Sequence, residues 1–142
     1  MNAIRYVPFA GRLLIGLPFA MSGLSKLAAI GPMTEVIRTA GLPLPPVALA
    51  LAVIVELGGG SLLVAGFRTR IVAAALVLFS LVTAVSFHSN FADQNQMIHF
   101  FKNLMITGGL LQIVAFGAGA FSMDNRSVKG GARDSMRTAN AA

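Results

Sequence analysis

The chain has 142 residues, of which 56% are apolar and only 11% charged, with a net charge of +6 and mean hydropathy +0.77. An average soluble domain is about 25% charged, and a chain this short has too much surface for its volume to keep so few charges in water, so lipid is the solvent that suits it. The lack of cysteine excludes a disulfide framework, a thiol nucleophile, thiolate metal sites and a CxxC redox pair, and the placement of basic residues at the ends of apolar segments speaks for membrane lipids and against nucleic acid as partner.

Four apolar segments follow one another, at 4–27, 47–67, 71–89 and 98–123. Each is close to the ~20 residues that span a bilayer core as a helix. The first contains Arg12 and Lys26. A signal peptide has a shorter, uncharged apolar core, so this segment reads as a retained span. Gly41-Leu42-Pro43-Leu44-Pro45-Pro46 ends the first connection and opens the second helix, because proline is tolerated in a first turn. Gly66-Phe67-Arg68-Thr69-Arg70 is so short that spans two and three must form a tight antiparallel hairpin. A polar loop surrounds Asn90 to Gln96, and residues 125–142 read as a basic, disordered tail.

The expected fold is therefore all-α, an integral membrane four-helix antiparallel bundle over residues 1–124. Eight Lys and Arg residues (Arg5, Arg12, Arg68, Arg70, Arg126, Lys129, Arg133, Arg137) fall on the side of the termini, and three (Lys26, Arg38, Lys102) on the other. The positive-inside rule then puts both termini in the cytoplasm.

The second span carries one carboxylate, Glu56, near its centre. Ala48, Ala52, Glu56 and Gly60 recur every four residues, on one helix face. Small residues mark faces where helix backbones approach closely in lipid, so Glu56 is expected to point into the bundle, with Gly58 and Gly59 extending the packed surface. On the first span Arg12, Gly16, Phe19, Gly23 and Lys26 form an a/d-like stripe, so its packed face is also its charged face. Helix rise puts Arg12, Glu56 and Lys102 at depths of about 10, about 16 and about 24 Å. This suggests a core in which Glu56 meets Arg12 from below or Lys102 from above, beneath an outer layer of Lys26, His88, His99, Lys102 and Asn103.

Each of these residues also has a plain structural reading. Glu56 can be an interhelical ion pair, Arg12 can snorkel, Lys26 can anchor a helix end, and the histidines can sit wetted at the outer edge. A central charge costs roughly 2.5 to 3.5 kcal/mol on insertion scales, and such residues tend to be functional. No phosphate loop, HExxH or GxSxG motif is present. His88 and His99 match no metal or haem spacing, so no metal or intrinsic cofactor is expected.

In order and spacing, several motifs together resemble the DoxX family of small four-helix membrane proteins. They are Arg12-Leu-Leu-Ile-Gly-Leu-Pro-Phe-Ala-Met-Ser-Gly23-Leu-Ser-Lys26-Leu, Val55-Glu56-Leu-Gly-Gly, Gly66-Phe-Arg-Thr-Arg70, His88, Lys102-Asn103 and Phe121-Ser122-Met123-Asp124. The resemblance covers nearly all of residues 8–124. Met123 departs mildly from the leucine of many relatives. It implies a role near membrane redox chemistry, since relatives include a subunit of thiosulfate:quinone oxidoreductase.

The expected function is a membrane subunit of an oxidoreductase complex, holding a quinone or anchoring a catalytic partner. Glu56 and His88 would be the proton-exchanging catalytic residues. Arg12, Lys26, His99, Lys102 and Asn103 would form the ligand-binding set. Two rival readings are an assembly protein whose buried charges fix helix packing, and a small proton-coupled carrier using Glu56. Gly108, Gly109, Gly117 and Gly119 give the fourth span small surfaces that suit a homo-oligomer.

Overall fold

The structure is a computed structural model that describes residues 3–126. Most of the tail, with Lys129, Arg133 and Arg137, lies outside the described residues. A 3₁₀ turn at Ala3–Tyr6 leads into α1 (Val7–Ala28), followed by α2 (Ile30–Thr39). Then come α3 (Pro45–Ala65), α4 (Thr69–Phe87) and α5 (Gln94–Phe116). With the leading 3₁₀ turn counted into α1, the four long helices are each long and apolar enough to cross a membrane, so the chain is an all-α, multi-pass membrane bundle.

Local chemistry sets the helix ends. Pro8 lies in the first turn of α1, and Pro45 and Pro46 in that of α3. Asp93 caps α5 by accepting from the Asn95 and Gln96 amides. α3 closes on Gly66 at φ 71°, where the Phe67 amide reaches back to the Leu62 carbonyl at 3.1 Å.

Two departures from the sequence reading have physical causes. Residues 28–46 are not a plain loop, because Ile30–Thr39 forms α2. Met33, Val36 and Ile37 give it a stripe at helical spacing, and Ile37 is buried against the bundle. The helix is far too short to span the membrane and packs mainly against α3. At the other extreme, α5 stops at Phe116 although apolar sequence continues to Met123. Gly117 and Gly119 adopt φ of 82° and 76°, which turns the chain back over the bundle end.

α1 packs on α3, and α4 packs on α5. The first contact is backbone to backbone. A Cβ on Gly16 would lie 2.7 Å from the Gly60 carbonyl oxygen, and one on Gly23 would lie 2.6 Å from the Leu57 amide nitrogen. The two pairs meet through Leu63, Ala73, Leu76 and Leu110, all fully buried, with Ile15 and Phe19 of α1 laid against them. α1 and α5 barely touch, which leaves a cleft between them. Many large apolar side chains face outward, among them Leu14, Leu51, Ile71 and Met105, as lipid allows.

The expected small-residue surfaces are only partly used. Gly58 has nothing near its missing Cβ, so it does not extend the packed face, whereas Gly59 lies against Leu76. On the last segment Gly109 packs on Ile15 and Gly119 on Pro8, inside one bundle, and only Gly108 stands open.

Candidate functional site

The charged motif residues sort into two clusters at opposite ends of the bundle. At the end carrying the described termini, Arg12 is 1% exposed. Its guanidinium donates to the carbonyls of Leu63 and Val64, each at 3.1 Å, and to that of Phe121. The first two carbonyls lie in the last turn of α3, and that of Leu63 also accepts from the Gly66 amide at 3.2 Å. Asp124 works beside it. Its carboxylate accepts from the Arg68 amide at 2.7 Å and from the Thr69 amide and hydroxyl at 2.9 and 2.7 Å, so it caps α4 from a distant part of the chain. Burial pushes the Asp124 carboxyl upward, but hydrogen bonds from Thr69 and Arg68, with the nearby Arg12 charge, outweigh it and hold the group below its usual range.

In the other half of the bundle, α3 loosens into a π-helical segment, Ile54–Gly59, that contains Glu56. Such segments are rare and recur at functional sites. The Glu56 side chain is 7% exposed and faces Lys26, whose ammonium lies 3.0 Å from Oε1 and 2.7 Å from Oε2. Ser22 completes the group: its hydroxyl donates to Oε1 at 3.2 Å and accepts from Lys26 at 2.9 Å. Glu56 thus pairs with Lys26, not with Arg12 or Lys102 as the depth argument suggested. The antiparallel register explains why. With Gly16 seated on Gly60 and Gly23 on Leu57, Arg12 falls opposite Leu63 and Val64, and Lys26 falls opposite Glu56.

His88 ends α4 close to the start of α5. Its Nδ1 is 2.9 Å from Gln96 Oε1, and its ring stacks on His99 at 5.0 Å between centroids. A carbonyl oxygen only accepts, so His88 donates to Gln96 from Nδ1. Lys102 lies 3.0 Å from His99 Nδ1. An ammonium only donates, so that nitrogen is the acceptor and the His99 proton sits on Nε2.

Two cavities of about 410 Å³ each flank this group. One lies between α1, α4 and α5 and is lined by Ser22, His99, Lys102, Asn103 and Ile106, with Leu14 and Pro18 at its lipid side. The other lies under α2 and is mostly apolar, lined by Met33, Ile37, Leu49 and Val55 among others. Lys26, Glu56, Phe79, Thr83 and His88 line both, so the ion pair and its neighbours form the partition. Volumes of this size match small-molecule sites. Among the described residues, no three His, Asp or Glu side chains converge as a metal ligand set.

Six of the seven residues singled out from sequence (Lys26, Glu56, His88, His99, Lys102 and Asn103) therefore line one cavity, and Arg12 stands apart at the opposite end. Sequence reasoning missed Ser22, Gln96, Phe79 and Thr83. Ser22 stands four residues before Lys26, a legible helical pair. Nothing distinguishes Phe79 and Thr83 from ordinary packing residues in a span.

The comparisons with known proteins agree with this architecture. The DoxX family model matches residues 7–89, which hold Lys26, Glu56 and His88 but not α5. The chain is 36% identical over 113 residues to "Inner membrane protein YqjF" of Escherichia coli strain K12, covering 80% of this chain and 85% of that protein. It is 31% identical over 140 residues to "Inner membrane protein YphA" of the same organism, covering 89% and 100%. No solved structure matches. With four spans in the bundle and inner membrane proteins as relatives, this is a multi-pass protein of the inner membrane, and it belongs to the DoxX family.

Proposed function

We propose that this chain is the membrane subunit of an oxidoreductase complex, holding the head group of a lipid-soluble quinone in the cleft between α1 and α5. Both termini, and the partner subunit that supplies electrons, lie on the cytoplasmic side. One observation carries the reading: a buried, hydrogen-bonded Lys26–Glu56 pair forms the wall of a cavity that also exposes His88, His99, Lys102 and Asn103 and opens toward lipid. A quinone head offers two carbonyl acceptors on an apolar ring. Lys102, Asn103 and Lys26 are donors at cavity height, and Phe79, Ile106 and Ile15 supply apolar walls. Glu56 and His88 are the groups suited to pass protons, because a carboxylate can accept one and an imidazole can take one at one ring nitrogen while giving one from the other. Arg12 has no place in this ligand set.

The test is purification of the protein from its native membrane in mild detergent, with mass spectrometry of bound quinones and co-purifying subunits. A stoichiometric quinone, lost in Glu56→Gln without loss of the folded bundle, supports the reading. A clean protein lacking both quinone and partner overturns it.

The ion pair itself favours a second reading. Lys26 pairs with Glu56, and Ser22 bonds to both, across the α1–α3 contact, which would fix that register in a purely structural or assembly protein. That reading expects Glu56→Gln to disturb assembly and leave quinone content unchanged. A carrier would instead show itself by solute uptake into liposomes containing this chain alone.

A further inference from the structure

A cavity of about 640 Å³ shares no lining residue with the Lys26–Glu56 pair. It sits at the terminal end of the α4–α5 pair, lined by Arg68, Arg70, Ile71, Phe116, Gly117 and Asp124. We propose that this cavity binds the phosphodiester head group of an anionic phospholipid, with an acyl chain descending along Ile71 and Phe116.

Three observations support the site. First, its cations are uncommitted. The two ion pairs among the described residues are Lys26–Glu56 and Arg38–Glu35, so neither Arg68 nor Arg70 has a carboxylate partner there. Asp124 lines the cavity, but its oxygens are already occupied by the two amides and the Thr69 hydroxyl. Second, Arg70 is positioned. A Cβ on Gly117 would lie 3.3 Å from Arg70 Nε and 3.6 Å from an Nη, so the guanidinium lies along the Gly117 backbone, where α5 turns off at φ 82°. Arg68 is fixed at its root, in a left-handed backbone conformation at φ 44° whose amide is held by Asp124. Third, the mouth is amphipathic. Ile71 is 65% and Phe116 80% exposed on the lipid-facing side, within reach of the arginines at the helix ends.

A guanidinium fork matches phosphate oxygens in two-point geometry, and basic pockets between membrane helices at the interface recognise anionic head groups. Free inorganic phosphate presents the same oxygens without a chain, so it serves as the control ligand. The site is independent of the quinone reading, since it shares no residue with that cleft.

The test is native mass spectrometry of the full chain in detergent with equal phosphatidylglycerol and phosphatidylcholine. The wild type, R68Q/R70Q and R38Q would be compared, and gel filtration would check each bundle. The wild type is expected to retain phosphatidylglycerol preferentially. The double variant should lose that preference by roughly fivefold per arginine, R38Q should keep it, and excess inorganic phosphate should leave it in place. Equal retention of the two lipids, unchanged preference in R68Q/R70Q, or displacement by phosphate alone would each overturn the proposal.

Discussion

Arg12 and Lys26 are both charged residues on the packed face of one helix, yet their surroundings differ in kind. Arg12 is closed off. Its two Nη groups donate to three backbone carbonyls from two other segments, while its Nε is buried without a partner among the described residues, and Asp124 spends its oxygens on α4. Lys26 has a side chain 24% exposed, meets a carboxylate, and stands with Glu56 between two cavities. A buried charge that neutralises helix-end carbonyls is a joint. A buried pair facing open volume with two histidines nearby is a place where a ligand can act. The family motifs supply both, and only the structure separates them.

The largest expected effect lies in the joint. Arg12→Ala strips the guanidinium from the Val64 and Phe121 carbonyls and leaves Leu63 only the Gly66 amide, and it should cost about 3–5 kcal/mol, read as a large drop in melting temperature in detergent. Arg12→Lys should rescue only part of it, because an ammonium lacks the planar fork. Next comes the contact that sets the register of both clusters. A Cβ on Gly60 would lie 2.6 Å from both the Ala20 amide nitrogen and the Gly16 carbonyl oxygen, so Gly60→Ala should cost about 1–3 kcal/mol and also weaken ligand retention by displacing Lys26 from Glu56. Gly58→Ala, with open space at its Cβ, is the matched control and should melt no lower than the wild type.

Smaller effects on stability belong to the second cluster. Glu56→Gln keeps the shape and leaves Lys26, 24% exposed, able to reach water, so it should cost about 1–2 kcal/mol, measured by melting, while quinone retention falls at least about tenfold. A comparable effect is pH-dependent. Asp124 has a folded pKa below its ordinary 3.8, so its contribution is complete above that value and is lost as pH falls through the lower folded one. Asp124→Asn should remove about 0.5–2 kcal/mol, the worth of a helix cap, and flatten the acid limb of the stability curve measured between pH 5 and pH 2.

Hydropathy made the four spans legible, because lipid forces every backbone group into a helix and leaves a run of apolar residues as its record. The stripe of Arg12, Gly16, Gly23 and Lys26 gave the packed face of α1 directly, since Arg12, Gly16 and Gly23 are its buried residues. What could not be read was which residue meets which. Depth counting assumes uniform helices and a shared origin, but Gly16–Gly60 and Gly23–Leu57 fix the real register and the π segment displaces Glu56 within it. The end of α5 was hidden for a similar reason: Gly117 and Gly119 sit in a run as apolar as a span, and only their positive φ shows that the helix has stopped. α2 was hidden by brevity, with one useful stripe amid Gly31, Pro32 and charged neighbours.

The division between joint and site is tested most directly by the melting shift that a short-chain quinone produces in the wild type, Asp124→Asn and Glu56→Gln proteins. The account predicts a rise in the wild type, the same rise in Asp124→Asn from a lower baseline, and none in Glu56→Gln. A rise that survives in Glu56→Gln, or no rise in the wild type, would contradict it.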